Sequence, residues 1–310
     1  MRNEATNRNL LIGQALGALI LIVVGLAVGY ALLAKPDAEA PPPKEDVLAA
    51  PGITSVAVDA KDNIYVGGDF GVQVFGPDGK KLREWKTAVP VAALVFDAGG
   101  NVYVATQKKV EKFDADGKSL LRWGKGGCET EDFGLLTGIA ASDGNVFVAD
   151  AEERVVYRFR EDGRFLNYVG SKEQDPEGIG IVLPSPFLDC AAKDGIVVLN
   201  NSGRKRVEVY DFAGKRLKVW GKIGPDGDDF PGCCNPTNLA IAAKGRVVTA
   251  DKGLPLVKVF DADGSLLKTF GRDVFAEECK GIDLAVDSRG RIYAVDHAAG
   301  CVRVFENANE

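Results

Sequence analysis

The stretch "LTGIAASDGNVFVADAEERVVYRFREDGRFLNYVG", residues 136–170, holds four short apolar or alternating runs separated by turn residues. Runs of this length, rich in Val, Phe and Tyr and bounded by Asp-Gly or Asp-Ala, read as four β-strands rather than as helices. Asp162-Gly163 suits a tight hairpin between the third and fourth runs, because Asp and Gly tolerate the positive φ angles such a turn needs. The same layout returns at residues 52–85, 91–124, 188–221, 239–271 and 282–306, with further Asp-Gly hairpins at Asp116-Gly117 and Asp263-Gly264. Copies of roughly 40 to 50 residues with four strands each have the period of propeller blades. Six copies predict an all-β, six-bladed β-propeller. The acidic turns lack the longer series of spaced oxygen ligands ending in Glu that a calcium loop requires, so their Asp residues read as turn formers.

These units resemble NHL repeats. The resemblance rests on "GIAASDGNVFVAD" (138–150), "RVEVYD" (206–211), "DLAVDSRGRIYAVD" (283–296) and the closing "RWG" (122–124) and "VWG" (219–221). It spans residues 52 to 306 and implies the six-bladed ring. The last copy stops at Glu306 after its third strand. A ring must cover its edges, so the missing strand of blade six is expected from Asp46–Ala50.

Ahead of the repeats, residues 10–34 read "LLIGQALGALILIVVGLAVGYALLA", uncharged and interrupted only by Gln14. A run of roughly 20 apolar residues is long enough to cross a bilayer as a helix. No lipid-accepting Cys follows it, so it reads as an uncleaved signal anchor after a short tail (1–9). Arg2 and Arg8 on one side and Lys35 and Lys44 on the other give little charge asymmetry. One short tail, one span and one large domain nonetheless predict the N-terminus inside and the propeller outside, periplasmic or extracellular. Gly13, Gly17, Gly25 and Gly29 repeat at four-residue spacing, which suits helix pairing or simply reflects the frequency of Gly in such spans. Residues 35–46, with three consecutive prolines, form a stiff solvated spacer, and residues 47–310 form the propeller.

The formal charge of −6 argues against nucleic acid as a partner, since phosphate affinity needs clustered Lys and Arg. One histidine, His297, excludes metal sites that need several imidazoles from one chain. Propeller lyases that cleave hydroxylated glycine peptides depend on such ligands, so that activity is rejected. No Ser-His-Asp arrangement and no phosphate-binding glycine loop is evident.

Strand direction alternates within a blade, so blade entrances and the turns between second and third strands share one face. Cys128, Cys190, Cys233, Cys234, Cys279 and Cys301, together with His297, all map to this face, which is the predicted binding face. In an exported domain such cysteines read first as disulfides. A second reading is a thiolate-bound metal or iron–sulfur centre held by Cys190, Cys233, Cys234 and Cys279. A third is buried thiols acting as small apolar side chains. Cys233 and Cys234 are adjacent in "FPGCCNPTN", and on an extended strand their side chains should diverge toward different partners. The same rim carries Asp189, Asn238 and Asp283 near the starts of first strands, with Asp150, Asn200, Asn201, Asp251 and Asp296 at the ends of second strands. Resemblance to gluconolactonase-like hydrolases implies a calcium-type cation on Asp189, Asn238 and Asp283; the alternative is that these side chains accept backbone hydrogen bonds. Lys252, Arg204, Lys205 and the loop "GKIGPDGDDFPG" (221–232) read as solvated surface. The sequence thus predicts a membrane-anchored, extracytoplasmic binding scaffold for another envelope protein or a small ligand, with a redox or metal-centre protein and a cation-dependent lactonase or lyase as alternatives.

Overall fold

A computed structural model of the chain describes residues 51–127, 131–224, 227–271, 273–276, 278–306 and 308–309. These form five four-stranded antiparallel sheets and one three-stranded sheet, each built from consecutive strands. The first strands, Ile53–Val58, Ala93–Phe96, Leu136–Ser142, Cys190–Lys193, Asn238–Ile241 and Leu284–Val286, follow one another around a central channel. The last of them contacts the first, so the ring closes as a six-bladed propeller.

Radial position is written in the burial pattern. Second strands such as Val102–Ala105, Asn145–Asp150 and Ile292–Asp296 are buried along their whole length. Sheets lie against both of their faces, so both sets of alternating side chains must be apolar or fully bonded. Fourth strands such as Lys81–Trp85 and Arg216–Trp220 alternate between exposed and half-buried positions, because they form the outer wall.

A repeated device joins consecutive blades. In five blades the pairing of third and fourth strands shifts register just before an aromatic residue: Phe75, Phe113, Phe159, Tyr210 and Phe260. A bulge bends the strand and re-aims its side chain, here in blades two, three and five toward the closing Trp of the preceding blade. Trp85 lies 6.0 Å from Phe113, Trp123 lies 6.0 Å from Phe159, and Trp220 lies 4.6 Å from Phe260, measured between ring centroids. The hairpin glycine completes each contact. A Cβ on Gly117 would sit 2.6 Å from Trp85, and one on Gly264 would sit 2.5 Å from Trp220. Gly117 and Gly264 have φ of +84° and +89°, so glycine is required twice over, by the turn and by the indole above it.

The predicted membrane span (10–34), the spacer (35–46) and the strand expected to complete blade six from residues 46–50 lie outside the described residues. Among the described residues no helix is long and apolar enough to cross a membrane.

Candidate functional site at the channel mouth

First strands enter the ring from one end, and there the channel opens into a cavity of about 350 Å³. Its wall includes Thr54, Thr137, Phe187, Asn238, Lys280 and His297. A narrower space of about 260 Å³ continues down the channel between the first strands. Asp283 borders both, and Asp189 borders the inner one.

The acidic residues here serve mainly as ties between blades. Asp189 Oδ1 accepts from the Cys190 amide at 2.8 Å, and Oδ2 accepts from the Leu239 amide of the next blade at 2.9 Å. Asp283 Oδ2 accepts from the Ser55 hydroxyl at 2.7 Å and the Val56 amide at 2.8 Å, joining blade six to blade one. Ser55 Oγ in turn accepts from the Leu94 amide of blade two at 3.1 Å. Thr137 donates to the Leu188 carbonyl at 2.6 Å, linking blades three and four. Burial, and then the charge of Asp283, raise the Asp189 pKa well above the ordinary carboxylate range. Burial pushes Asp283 up to about 6 against the pull of its donors. Both Asp189 oxygens and Asp283 Oδ2 are already taken by these donors, which leaves few lone pairs for a dication that needs roughly six to eight oxygen ligands. The residues therefore do not fit a calcium-type ion on Asp189, Asn238 and Asp283, and no group of three or more His, Cys, Asp or Glu among the described residues is placed to hold a metal.

Other mouth residues are committed in the same way. Asp150 accepts from the amides of Gly134, Leu135, Glu152 and Glu153. Asn200 donates to the carbonyls of Phe187, Pro236 and Thr237, and Asn201 accepts from the Val182 amide. Asp296 pairs with Arg303 at 3.0 Å. Asp251 lies 2.7 Å from Lys258, and burial still raises it to about 6. Asn238 differs. Its side chain supports Asp189, but its Oδ1 is a buried acceptor without a partner among the described residues.

The cysteines do not converge into one centre. Cys190 is buried in the interblade core with its Sγ 3.8 Å from the Phe147 carbonyl, and burial raises its pKa. Cys279 is buried against His297, Sγ to Nδ1 3.6 Å, and burial followed by the nearby Asp296 charge pushes it up to about 11. The Lys280 amide donates to His297 Nε2 at 3.3 Å, which places the proton of a neutral ring on Nδ1, facing that sulfur. Cys301 is buried in the third strand of blade six, and Cys128 lies outside the described residues. No disulfide joins Cys190, Cys233, Cys234 or Cys279, contrary to the expectation for an exported domain.

The adjacent pair also corrects the sequence reading. Cys233 and Cys234 do not diverge: their Sγ atoms lie 2.8 Å apart. The segment is a bend rather than a strand, anchored by Asn235, whose Nδ2 donates to the Pro231 and Lys252 carbonyls while Oδ1 accepts the Lys252 amide at 2.9 Å. Cys233 is exposed and Cys234 buried. Ser185 Oγ lies 3.2 Å from Cys234 Sγ. Lys252 Nζ is 3.4 Å from the same hydroxyl and 4.7 Å from the Phe187 ring centroid. Lys205 is buried, donating to the carbonyls of Ser202 and Cys233. Arg204 pairs with Asp175 and Glu177. Phe230, from the loop read as surface, is fully buried 6.1 Å from Trp220. Most of these partners, Ser185 and Lys252 for Cys234 and Asp175 for Arg204 among them, come from other blades or distant loops, so no local pattern announced them.

The chain matches no family model and no curated protein. Solved structures do resemble it. A gluconolactonase from Xanthomonas campestris superposes with a TM-score of 0.61 at 16% identity, over 87% of this chain and 95% of that one. The U3-55K structure gives a TM-score of 0.59 at 13% identity, over 87% of this chain and 99% of that one. A virginiamycin B lyase from Staphylococcus aureus gives 0.53 at 12% identity, over 79% and 78% of the two chains. At these identities the likeness establishes the propeller fold.

Proposed function

We propose that the protein is an NHL-type binding scaffold, held at a membrane by residues 10–34 and working outside the cytoplasm, that takes a small hydroxylated ligand at the channel mouth. The observation that carries this reading is the 350 Å³ cavity at the mouth, whose wall sets Thr54, Thr137, Asn238 and Lys280 around one space. Lys280 on the same wall favours a ligand that also carries negative charge. The neighbouring gluconolactonase suggests the probe. Calorimetric titration of the native protein with gluconate should show saturable binding that Lys280→Met weakens about tenfold, the loss of one charge-assisted hydrogen bond. No heat from gluconate sinks the ligand class. Calcium-dependent hydrolysis of gluconolactone would replace the scaffold with the lactonase alternative, against which the bonded state of Asp189 and Asp283 argues. Carbonate-resistant membrane association, with the propeller open to protease added from outside intact cells, tests the anchor and its orientation.

A further inference from the structure

We propose that Cys233 and Cys234 form a vicinal dithiol that exchanges with low-molecular-weight disulfides, with Cys233 as the attacking thiol and Cys234 as the resolving one. Three observations point this way, and none depends on the ligand reading of the channel mouth. The sulfurs are already 2.8 Å apart. They differ in access, since Cys233 is exposed and Cys234 buried. Polar groups surround the inner sulfur, with the Ser185 hydroxyl at 3.2 Å and the Lys252 ammonium beyond it.

Burial opposes a thiolate at Cys234, but the Cys233 and Ser185 hydrogen bonds and the Lys252 charge outweigh it and hold its pKa below the ordinary thiol value. The buried thiols elsewhere, Cys190 and Cys279, are shifted the other way. The nucleophile in exchange is the thiolate, so this microenvironment suits Cys234 to the second, resolving attack.

In the first step the Cys233 thiolate attacks one sulfur of the external disulfide. That S–S bond breaks, one thiol departs with the bonding pair, and a mixed disulfide forms on Cys233. In the second step the Cys234 thiolate attacks Cys233 Sγ, the other thiol departs, and the two cysteines close on each other. The protein loses two protons and two electrons, and the external disulfide is reduced to two thiols. Adjacent Cα atoms stand only about 3.8 Å apart across one trans peptide, less than most disulfides span. The closed form is therefore easily reduced again, as suits reversible exchange.

Residues 223–244, between Lys222 and Lys244, form a tryptic peptide that contains these two cysteines and no others. The full-length reduced protein, incubated folded with glutathione disulfide, acid-quenched, alkylated and digested, should yield this peptide lighter by two hydrogens and without glutathione. Cys234→Ser should instead accumulate a glutathione adduct on Cys233. Lys252→Met should slow closure several-fold, because the ammonium no longer favours the Cys234 thiolate, while leaving adduct formation unchanged. A stable adduct on the native pair, a reaction only after unfolding, linkage of this peptide to one bearing another cysteine, or native closure kinetics in Lys252→Met would each overturn the proposal.

Discussion

At the turn end of the ring, Asp97 sits in the turn between the first and second strands of blade two. It accepts from the Asn101 amide and side chain and from the Tyr103 hydroxyl. At the channel mouth, Asp189 and Asp283 likewise accept backbone donors, yet their acid strengths move in opposite directions. Burial works against the charge on Asp97, but Asn101, Tyr103 and Lys112 outweigh it and lower its pKa. At the mouth burial wins, helped at Asp189 by the neighbouring Asp283 charge. The same donor chemistry outweighs burial when a cation is near, as Lys112 is to Asp97 at 3.5 Å, and loses to it when none is.

That contrast can be tested from its strongest element downward. Asp189→Ala should cost about 2–5 kcal/mol in urea unfolding, because it strands the buried amides of Cys190 and Leu239. Gly264→Ala should cost about 2–4 kcal/mol, from a left-handed backbone and an indole in the way. Gly79→Ala, with φ of +79° and nothing within 4 Å of the added Cβ, should cost only the backbone share, about 1–2 kcal/mol. The difference between the two glycines measures the interblade contact. Asp97→Ala should cost about 1–3 kcal/mol, through the loss of its bonds to Asn101 and Tyr103.

The pH dependence should separate the two ends by sign. Asp283 binds its proton more tightly in the folded state, so stability falls as pH rises from about 4 to about 6, by roughly 1–3 kcal/mol. Asp251 and Asp189 contribute falls of the same sign, so Asp283→Asn should make the slope shallower without removing it. Asp97, with a lowered folded pKa, contributes stability above about pH 4 that disappears as pH drops further. Urea midpoints measured across this range for both variants would break the comparison if the two slopes had the same sign.

Much of the fold was legible because a propeller writes its geometry into a period. Apolar second strands, alternating outer strands and Asp-Gly hairpins each follow from backbone chemistry within a few residues. The contact between Trp220 and Gly264 was not legible, since two separate local signals meet only when blades stack. The fate of the cysteines was hidden for a related reason. Face can be read from strand direction, but depth cannot, and depth separates buried Cys190 from exposed Cys233. The bend that brings Cys233 and Cys234 together depends on Asn235 reaching Lys252, seventeen residues away. Phe230 disguised itself among Gly, Pro and Asp, although one aromatic in a polar loop was the available clue.

The tryptophan contacts also give the ring a seam. Trp85, Trp123 and Trp220 clamp the blade that follows each of them, but blade three ends in Val169 and Gly170. Where an indole would cover the Gly214 turn, Gln174 and the Tyr168 carbonyl crowd it instead. Arg158 and Asn167 reach across to the Phe212 carbonyl at 2.8 Å and 3.2 Å. Water competes for such bonds far better than for a buried indole. At the outer rim between blades three and four the clasp is therefore polar, while further in Phe147 and Phe212, 4.9 Å apart, act as the hinge that holds the collar when the rim opens.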